Sequence, residues 1–445
     1  MCGIGGWFAP QPPGHAAAQA PLARMLRAIG HRGPDGKGTL VDGHAAFAHT
    51  RLAVIDPVGG VQPMWSADGR AVMVFNGEIY NYRELRARLV ASGIALRTQS
   101  DAEVVLASWL DRGAAALSGL RGMYAFAIWN RAERTGVLVR DPLGIKPLFV
   151  ATDPAGGLRF ASEAKGILAL DGRRPELDAQ ALHMLLNLRY LPGQSSLFAG
   201  IRQLAPGEVL TWRPGAASAG TRIAAAPATD YPDLRSALED SVVAHLTADV
   251  EVGCYLSGGI DSATVAAFAQ RNLRGGPRTF TLPVGDDPRE ARGAAATASA
   301  LGLDHHPGAE PSVDPDTLGR VLFGLEVPKV NALQSFALAR HVRPHVKVAL
   351  SGLGGDELFL GYNAHRIMQR LARLDRWTPR ALARGLGAAS AAVLGAVARA
   401  PFAEPERAAG MLARLGDWPV VYGLLRNAWD SPALRRRLYG PRLLD

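Results

Sequence analysis

Apolar positions in the first half of the chain cluster in short runs broken by turn chemistry. AVMVF (71–75), GMYAFAIW (122–129), GVLVR (136–140) and PLFVA (147–151) predict β-strands. Two stretches depart from this pattern. NYRELRARL sets Tyr82, Leu85 and Leu89 on one helical face, and SDAEVVLASW opens with Ser100 and Glu103 at capping-box spacing, so both predict helices. At RPGAASAGTRIAAAPATD (213–230) the composition turns to Ala, Gly, Pro and Ser, which predicts a linker.

Beyond that stretch the period changes. DLRSALEDSVVAHL carries Leu234, Leu238, Val242 and Leu246 at helical spacing, and EVGCYL reads as a buried strand. LSGGIDS follows as a turn, then a helix with Val265, Phe268, Ala269 and Leu273 inward. RTFTL (278–282) and VKVAL (346–350) are further strands between helical stretches. Strand alternating with helix predicts a parallel α/β sheet whose ligands sit at the carboxyl ends of the strands. Both Gly-rich loops, LSGGIDS and SGLGGDELF, fall at such ends. From about residue 360 the chain is Arg/Ala-rich and reads as helical, without an internal repeat.

With 445 residues, 48% hydrophobic and 20% charged, the chain has room for two or three domains. Its formal charge of +9 is scattered, with no Lys/Arg run interleaved with aromatics. It therefore reads as solvated surface with some attraction for a nucleotide, not as a nucleic-acid interface. The most membrane-like stretch, between Arg384 and Arg399, is too short and too weakly apolar to span a bilayer. Met1 to Gln19 contains no Lys or Arg, unlike a secretory leader, so the expected location is the cytoplasm. Two cysteines, Cys2 and Cys254, suit a reducing compartment. A lone cysteine is ordinarily apolar filler, so any role for Cys2 must come from its surroundings.

Those surroundings are suggestive. HRGPDG, HTRLAVID, FNGEIYN and TQSDAE each place polar side chains or glycine beside apolar strand residues. A loop NGE at the end of AVMVF can offer the Asn76 amide and the Gly77 N–H to an oxyanion. Arg51 can clamp a carboxylate, while Glu78 and Asp101 can bind an ammonium group. Individually these residues also suit a turn, an ion pair and a helix start; as a set they match an amino acid. In LSGGIDS, Ser257, Gly258, Gly259, Asp261 and Ser262 form an anion cradle between strand and helix, distinct from a Walker loop and from GxGxxG. In the second loop Asp356 and Glu357 are candidates to hold Mg²⁺ against phosphates, and Asp261 joins Asp356 as the expected metal pair. His305 and His306 are read as loop histidines.

MCGI, HRGPDG, RLAVID, QPM, NGEIYNYRELR, SDAEV, LRGMYAFAIW, RDPLGIKPLF and FASEAKG, followed by LSGGIDS, resemble the glutamine-hydrolysing asparagine synthetase family over about residues 1–365. The resemblance implies an α+β N-terminal-nucleophile sandwich (αββα) followed by an α/β parallel-sheet nucleotide-binding domain with C-terminal helices. It implies a glutamine amidotransferase domain at 1–212, a linker at 213–230 and a pyrophosphate-loop synthetase domain at 231–445. It implies that Met1 is removed, leaving Cys2 as nucleophile with its own α-amine, of reference pKa about 8, as base. Arg51, Leu52, Ala53, Val54, Ile55, Asn76, Gly77, Glu78 and Asp101 would bind glutamine, with Asn76 and Gly77 as the oxyanion hole. Tyr255, Leu256, Ser257, Gly258, Gly259, Asp261, Ser262, Leu282, Ser351 and Gly352 would surround ATP. The implied reaction passes ammonia from glutamine to an acyl-adenylate, with Mg²⁺ offsetting phosphate charge. L-aspartate is the expected acceptor, and the expected assembly is a homodimer without nucleic-acid or membrane partners.

Two departures stand against this. Described asparagine synthetases carry SGEGSDE where this chain has SGLGGDE, and Leu353 cannot ionise. The family continues to a motif resembling LEVRVPFLD, so the synthetase domain is expected to lack its usual C-terminal part. The alternatives are an amidotransferase acting on another acceptor carboxylate, of a cell-surface or secondary metabolite, or a glutaminase-only or partner-binding protein.

Overall fold

The computed structural model describes residues 1–172, 175–226, 228–283, 288–309, 314–327, 332–377 and 404–426, with residues 382, 385, 389, 439 and 440. Most of the Arg/Ala-rich run beyond residue 377, including most of the stretch between Arg384 and Arg399, and the terminal PRLLD lie outside the described residues. The chain forms two compact units, one of residues 1–178 and 193–351, the other of residues 179–192 and 352–445.

The first unit begins with two six-stranded antiparallel sheets. One runs Arg202–Gln203, Phe149–Thr152, Leu158–Ala161, Gly3–Phe8, Ala45–Arg51, Gly36–Asp42. The other runs Ala219–Arg222, Glu208–Trp212, Thr135–Arg140, Gly122–Asn130, Ala71–Ile79, Met64–Trp65. Alternating side chains of both inner faces meet in an aromatic core, where Phe8 stacks on Trp212 at 5.6 Å and meets Phe47 edge-on at 5.8 Å. Helices His15–Ile29 and Ala164–Asp171 bury their apolar stripes on the first sheet, and Tyr82–Ala91 and Asp101–Arg112 on the second. The result is the αββα sandwich.

A four-stranded parallel sheet follows in the order His305–Pro307, Thr279–Thr281, Val252–Tyr255, Val348–Leu350. Helices Leu234–His245 and Ile260–Asn272 pack Val242, Phe268 and Ala269 against Cys254 of the central strand. Within this unit the sheets are tied together. Asp249 accepts a hydrogen bond from the Asp56 N–H at 2.8 Å and donates its own N–H to Val54 at 3.1 Å, and Arg121 pairs with Asp240. The second unit is helical, with Ala179–Leu188, Gly355–Phe359, Asn363–Trp377, Glu404–Ala413 and Trp418–Arg426, and Asn187 donates to the Tyr439 hydroxyl at 3.2 Å. The α/β sheet with C-terminal helices is therefore present. No helix among the described residues is long and apolar enough to cross a membrane.

Several local expectations change. NGE is not a loop: AVMVF continues as strand to Ile79, because Asn76, Gly77 and Glu78 stay in register with Ala125, Tyr124 and Met123. Ser100 does cap its helix, but Glu103 does not complete a capping box. Its carboxylate instead accepts from the N–H groups of Arg97 and Thr98 in the preceding loop. The stretch 213–230 contains an edge strand, Ala219–Arg222, that extends the second sheet. Leu234 is exposed, leaving Val242 as the buried residue of its helix. His305 and His306 lie in an edge strand, paired with Thr279 and Phe280, and not in a loop.

Candidate active site

Cys2 immediately precedes the strand Gly3–Phe8, which sits inside the first sheet between Leu158–Ala161 and Ala45–Arg51. Its position is fixed at both ends. The Leu52 N–H donates to Cys2 Sγ at 3.4 Å, the thiol faces the Leu52 carbonyl at 3.5 Å, and Arg32 Nε donates to the Cys2 carbonyl at 2.9 Å. Burial pushes the thiol pKa up, against the lowering effect of the Leu52 hydrogen bond and the terminal amine, with Glu78 and Asp101 adding to the rise. The resting group is therefore a neutral thiol that needs a base. Burial also lowers the α-amine of Met1, the terminal group while Met1 is present, to about 6. Both cysteines are free; Cys254 is buried in the central parallel strand, where burial pushes its thiol to about 12.

Asn76, Gly77 and Glu78 lie on the second sheet, and Asp101 opens a helix packed on it. Asn76 is buried at 1% exposure and its Nδ2 has no hydrogen-bond partner, a costly state for a donor unless an acceptor arrives. At Gly77 a Cβ would lie 2.5 Å from the Met123 carbonyl oxygen and 2.9 Å from Tyr124 Cα, so only glycine fits. Glu78 Oε2 is likewise buried without a partner. Burial, then the Asp101 charge, raises its pKa well above the usual carboxylate range. Asp101 accepts from Ile79 N–H at 3.0 Å and Ala102 N–H at 2.9 Å, yet burial still lifts its pKa to about 6. A buried carboxyl group whose pKa is raised by burial and by a neighbouring carboxylate is stabilised as an anion by an arriving cation.

Arg51 departs from its expected use as a free clamp. Its Nη2 donates to the Asp56 carbonyl at 2.6 Å and its Nη1 to Pro57 at 2.7 Å, so it braces the loop that carries residues 52–55. Within that loop Ala53, Val54 and Ile55 are buried, and the Ala53 N–H donates to Asp35 at 2.9 Å. Two groups beside the thiol went unassigned in the sequence reading. Arg32 belongs to HRGPDG, and Lys146 is a buried lysine in RDPLGIKPLF whose pKa burial lowers while Glu78 and Cys2 raise it. A single basic residue between two apolar pairs was the available signal for Lys146.

The LSGGIDS turn opens the helix Ile260–Asn272 at the carboxyl end of Val252–Tyr255. Ser262 turns inward: its hydroxyl accepts from the Ser257 N–H at 3.0 Å and lies 2.9 Å from the Ser257 hydroxyl. It shapes the loop from within, while Gly258 and Gly259 are exposed, with the Gly259 N–H donating to the Ser257 hydroxyl at 3.2 Å. Tyr255 is partly exposed, Leu256 and Leu282 are buried, and Asp261 sits in the first turn of that helix. Ser351 ends the first unit and Gly352 begins the second. There Leu353 is 86% exposed, and Asp356 and Glu357 occupy the first turn of Gly355–Phe359. No group of three or more His, Cys, Asp or Glu among the described residues could hold a metal ion. Single carboxylates such as Asp261 and Asp356 fit Mg²⁺ only as it is held against phosphate oxygens, with one or two protein ligands.

A glutamine amidotransferase domain model matches residues 1–222 and an asparagine synthase model matches residues 233–439. Together they define a nucleophile sandwich joined to a synthetase sheet. A Mycobacterium tuberculosis protein provisionally named glutamine-hydrolyzing asparagine synthetase is 39% identical over 429 residues, covering 88% of this chain and 64% of its own length. Glutamine-hydrolyzing asparagine synthetase 1 of Bacillus subtilis is 37% identical over 391 residues, with coverage of 84% and 61%. Asparagine synthetase B of Escherichia coli is 31% identical over 361 residues, with coverage of 77% and 60%. The chain belongs to the glutamine-hydrolysing asparagine synthetase family. It spans less than two thirds of the length of these curated relatives.

Proposed function

We propose that the protein is an ATP-dependent glutamine amidotransferase that converts L-aspartate to L-asparagine. The other products are L-glutamate, AMP and pyrophosphate. The observation that carries this reading is the buried, unpartnered Asn76 amide on the strand beside Glu78, in a site where Cys2 is held by Leu52 and Arg32. After loss of Met1, the α-amine of Cys2 takes the thiol proton and the sulfur attacks the side-chain amide carbon of glutamine. The Asn76 Nδ2 and the Gly77 N–H receive the oxyanion. Glu78 and Asp101 hold the substrate ammonium, and residues 51–55 hold its carboxylate end. Collapse of the tetrahedral adduct releases ammonia, carrying the proton from the amine, and leaves a thioester that water cleaves to glutamate and free thiol.

In the second domain the domain boundaries at 212 and 230 and the ATP contacts along Tyr255–Ser262, Leu282 and Ser351–Gly352 are part of the same reading. There the acceptor carboxylate attacks the α-phosphate of ATP and expels pyrophosphate, and ammonia then displaces AMP from the acyl-adenylate. Asp261, in the first turn of Ile260–Asn272, would be a carboxylate ligand for Mg²⁺, which would neutralise phosphate charge in that step. Cytoplasmic location and homodimer assembly are supported by family membership alone.

Leu353 favours a second reading, in which the acceptor is a different carboxylic acid. Purified protein is expected to form glutamate from glutamine, and Cys2→Ala to abolish it; unchanged activity in that variant would remove the glutaminase assignment. AMP formation that requires aspartate supports the first acceptor, and AMP with another acid alone selects the second.

A further inference from the structure

The helix Ala164–Asp171 has no capping side chain of its own: Glu163 stands at its N-cap position without accepting from it. The cap comes from elsewhere. Glu326, directly after the helix Pro315–Leu325, accepts from the Ala164 N–H at 2.9 Å and the Lys165 N–H at 2.6 Å. Its backbone adopts φ +60°, an unfavourable left-handed conformation for glutamate, to turn the carboxylate toward that helix end. From there the polar contacts continue inward. Lys165 Nζ lies 3.7 Å from Glu326 and pairs with Glu163, and Glu163 accepts from Arg32 Nη1 at 2.7 Å. Arg32 then donates to the Cys2 carbonyl at 2.9 Å.

All four side chains are largely shielded from water, at 9% exposure for Arg32, 8% for Glu163, 12% for Lys165 and 10% for Glu326. Two cations and two carboxylates balance in this row. Burial would raise the Glu163 pKa, but the His31 hydrogen bond and the Arg32 and Lys165 charges bring it down to about 2. Glu163 is therefore a permanent anion between two cations. Neutralising Glu326 would leave surplus positive charge in a poorly solvated place and hand Lys165 wholly to Glu163, in competition with Arg32.

We infer that Glu326, contributed from beyond the sandwich, is a positioning residue for the Cys2 nucleophile, acting through Lys165, Glu163 and Arg32. The inference rests on the glutaminase reading of the site. It places the ordering of the thiol partly under the control of the C-cap residue of Pro315–Leu325.

The test uses the full chain. In Glu326→Gln, glutaminase kcat is expected to fall about tenfold while KM for glutamine stays within about twofold, because the groups that hold glutamine are untouched. In an Arg32→Lys background, which keeps the charge but loses the fork, Glu326→Gln is expected to cost nothing further. Lys165→Met reads the same row from the sandwich side and serves if Glu326→Gln does not fold. Alkylation of Cys2 by iodoacetamide is measured alongside, with buried Cys254 as internal control, and is expected to change at least about threefold in Glu326→Gln. Unchanged kcat and alkylation in a folded variant, or losses that multiply in the double variant, overturn the inference. Absence of glutaminase activity in the wild type, with a changed alkylation rate in the variant, overturns the glutaminase reading and leaves the positioning role standing.

Discussion

The two halves of the first unit hold their chemistry in opposite ways. In the sandwich, strands of up to nine residues, Ala71–Ile79 and Gly122–Asn130, carry the reactive groups inward, and Asn76 and Asp101 are buried at 1% and 5% exposure. In the parallel sheet the strands are three or four residues long, and their loops carry Gly258, Gly259 and Ile260 at the surface. Preorganised, desolvated groups suit a reaction that must stabilise an oxyanion without water. Exposed backbone amides at a helix start suit a large, highly charged ligand that brings its own order. A substitution in the sandwich should therefore act on turnover, and one in the loop on binding.

The sharpest break of that contrast is Asn76→Ala. Removing this buried, unpartnered donor should lower glutaminase kcat by about 10²–10³-fold, the usual cost of an oxyanion donor, with little change in KM. Thermal melting should hold or rise, since an unpartnered buried donor is being removed. A loss confined to KM, measured by glutamate release, would mean that Asn76 binds ground-state substrate instead.

The second effect is in pH. Burial raises Asp101 to about 6 and Glu78 well above the usual carboxylate range, and both must be ionised to hold an ammonium. The competent form of Asp101 exists above about pH 6 and is lost below it. Glutaminase kcat/KM should therefore rise at least about tenfold from pH 5 to pH 7. An unchanged profile in Asp101→Asn would show that ionisation of Asp101 is not what the reaction requires.

How much of this was legible in the sequence depended on whether the signal was local. AVMVF, GMYAFAIW and GVLVR are strands buried on both faces, one in the aromatic core and one under the helices, and that is written in the runs as short continuous apolar stretches. The family motifs likewise carried Cys2, Asn76, Glu78 and Asp101 as a set. Register was not local: Asn-Gly reads as a turn, and only pairing with Tyr124–Ala125 keeps it extended. Glu103 matched a capping box, but the loop amides of Arg97 and Thr98 competed for its carboxylate. Lys146 and Glu326 act on groups far away in the chain, which no spacing rule connects.

A smaller effect is expected at the loop. Ser262→Ala removes the hydroxyl that bonds Ser257 and shapes LSGGIDS from within. KM for ATP should rise about fivefold, with glutaminase activity unchanged, a cost in the range of one or two ordinary hydrogen bonds. An equal loss of glutaminase activity would show that the loop and the thiol are not separable.

The smallest expected effect tests where the two halves touch. Lys347, just before the strand Val348–Leu350, pairs with Asp35 at 2.8 Å, and the same Asp35 oxygen accepts the Ala53 N–H at 2.9 Å. The pair is half open to water, with side-chain exposures of 42% and 28%, so its contribution is modest. Burial opposes ionisation of Asp35, but the Lys347 and Ala53 hydrogen bonds and the Lys347 and Arg51 charges still hold its carboxyl below the usual range. Without Lys347 the carboxylate keeps the Ala53 N–H and loses only its outer partner. Lys347→Ala should raise KM for glutamine about twofold through a looser loop at residues 52–55, leave kcat unchanged, and lose even that difference in high salt as screening weakens the wild-type pair. A drop in kcat instead would mean that Lys347, like Glu326, reaches the nucleophile itself, and that the sandwich is less self-contained than its burial suggests.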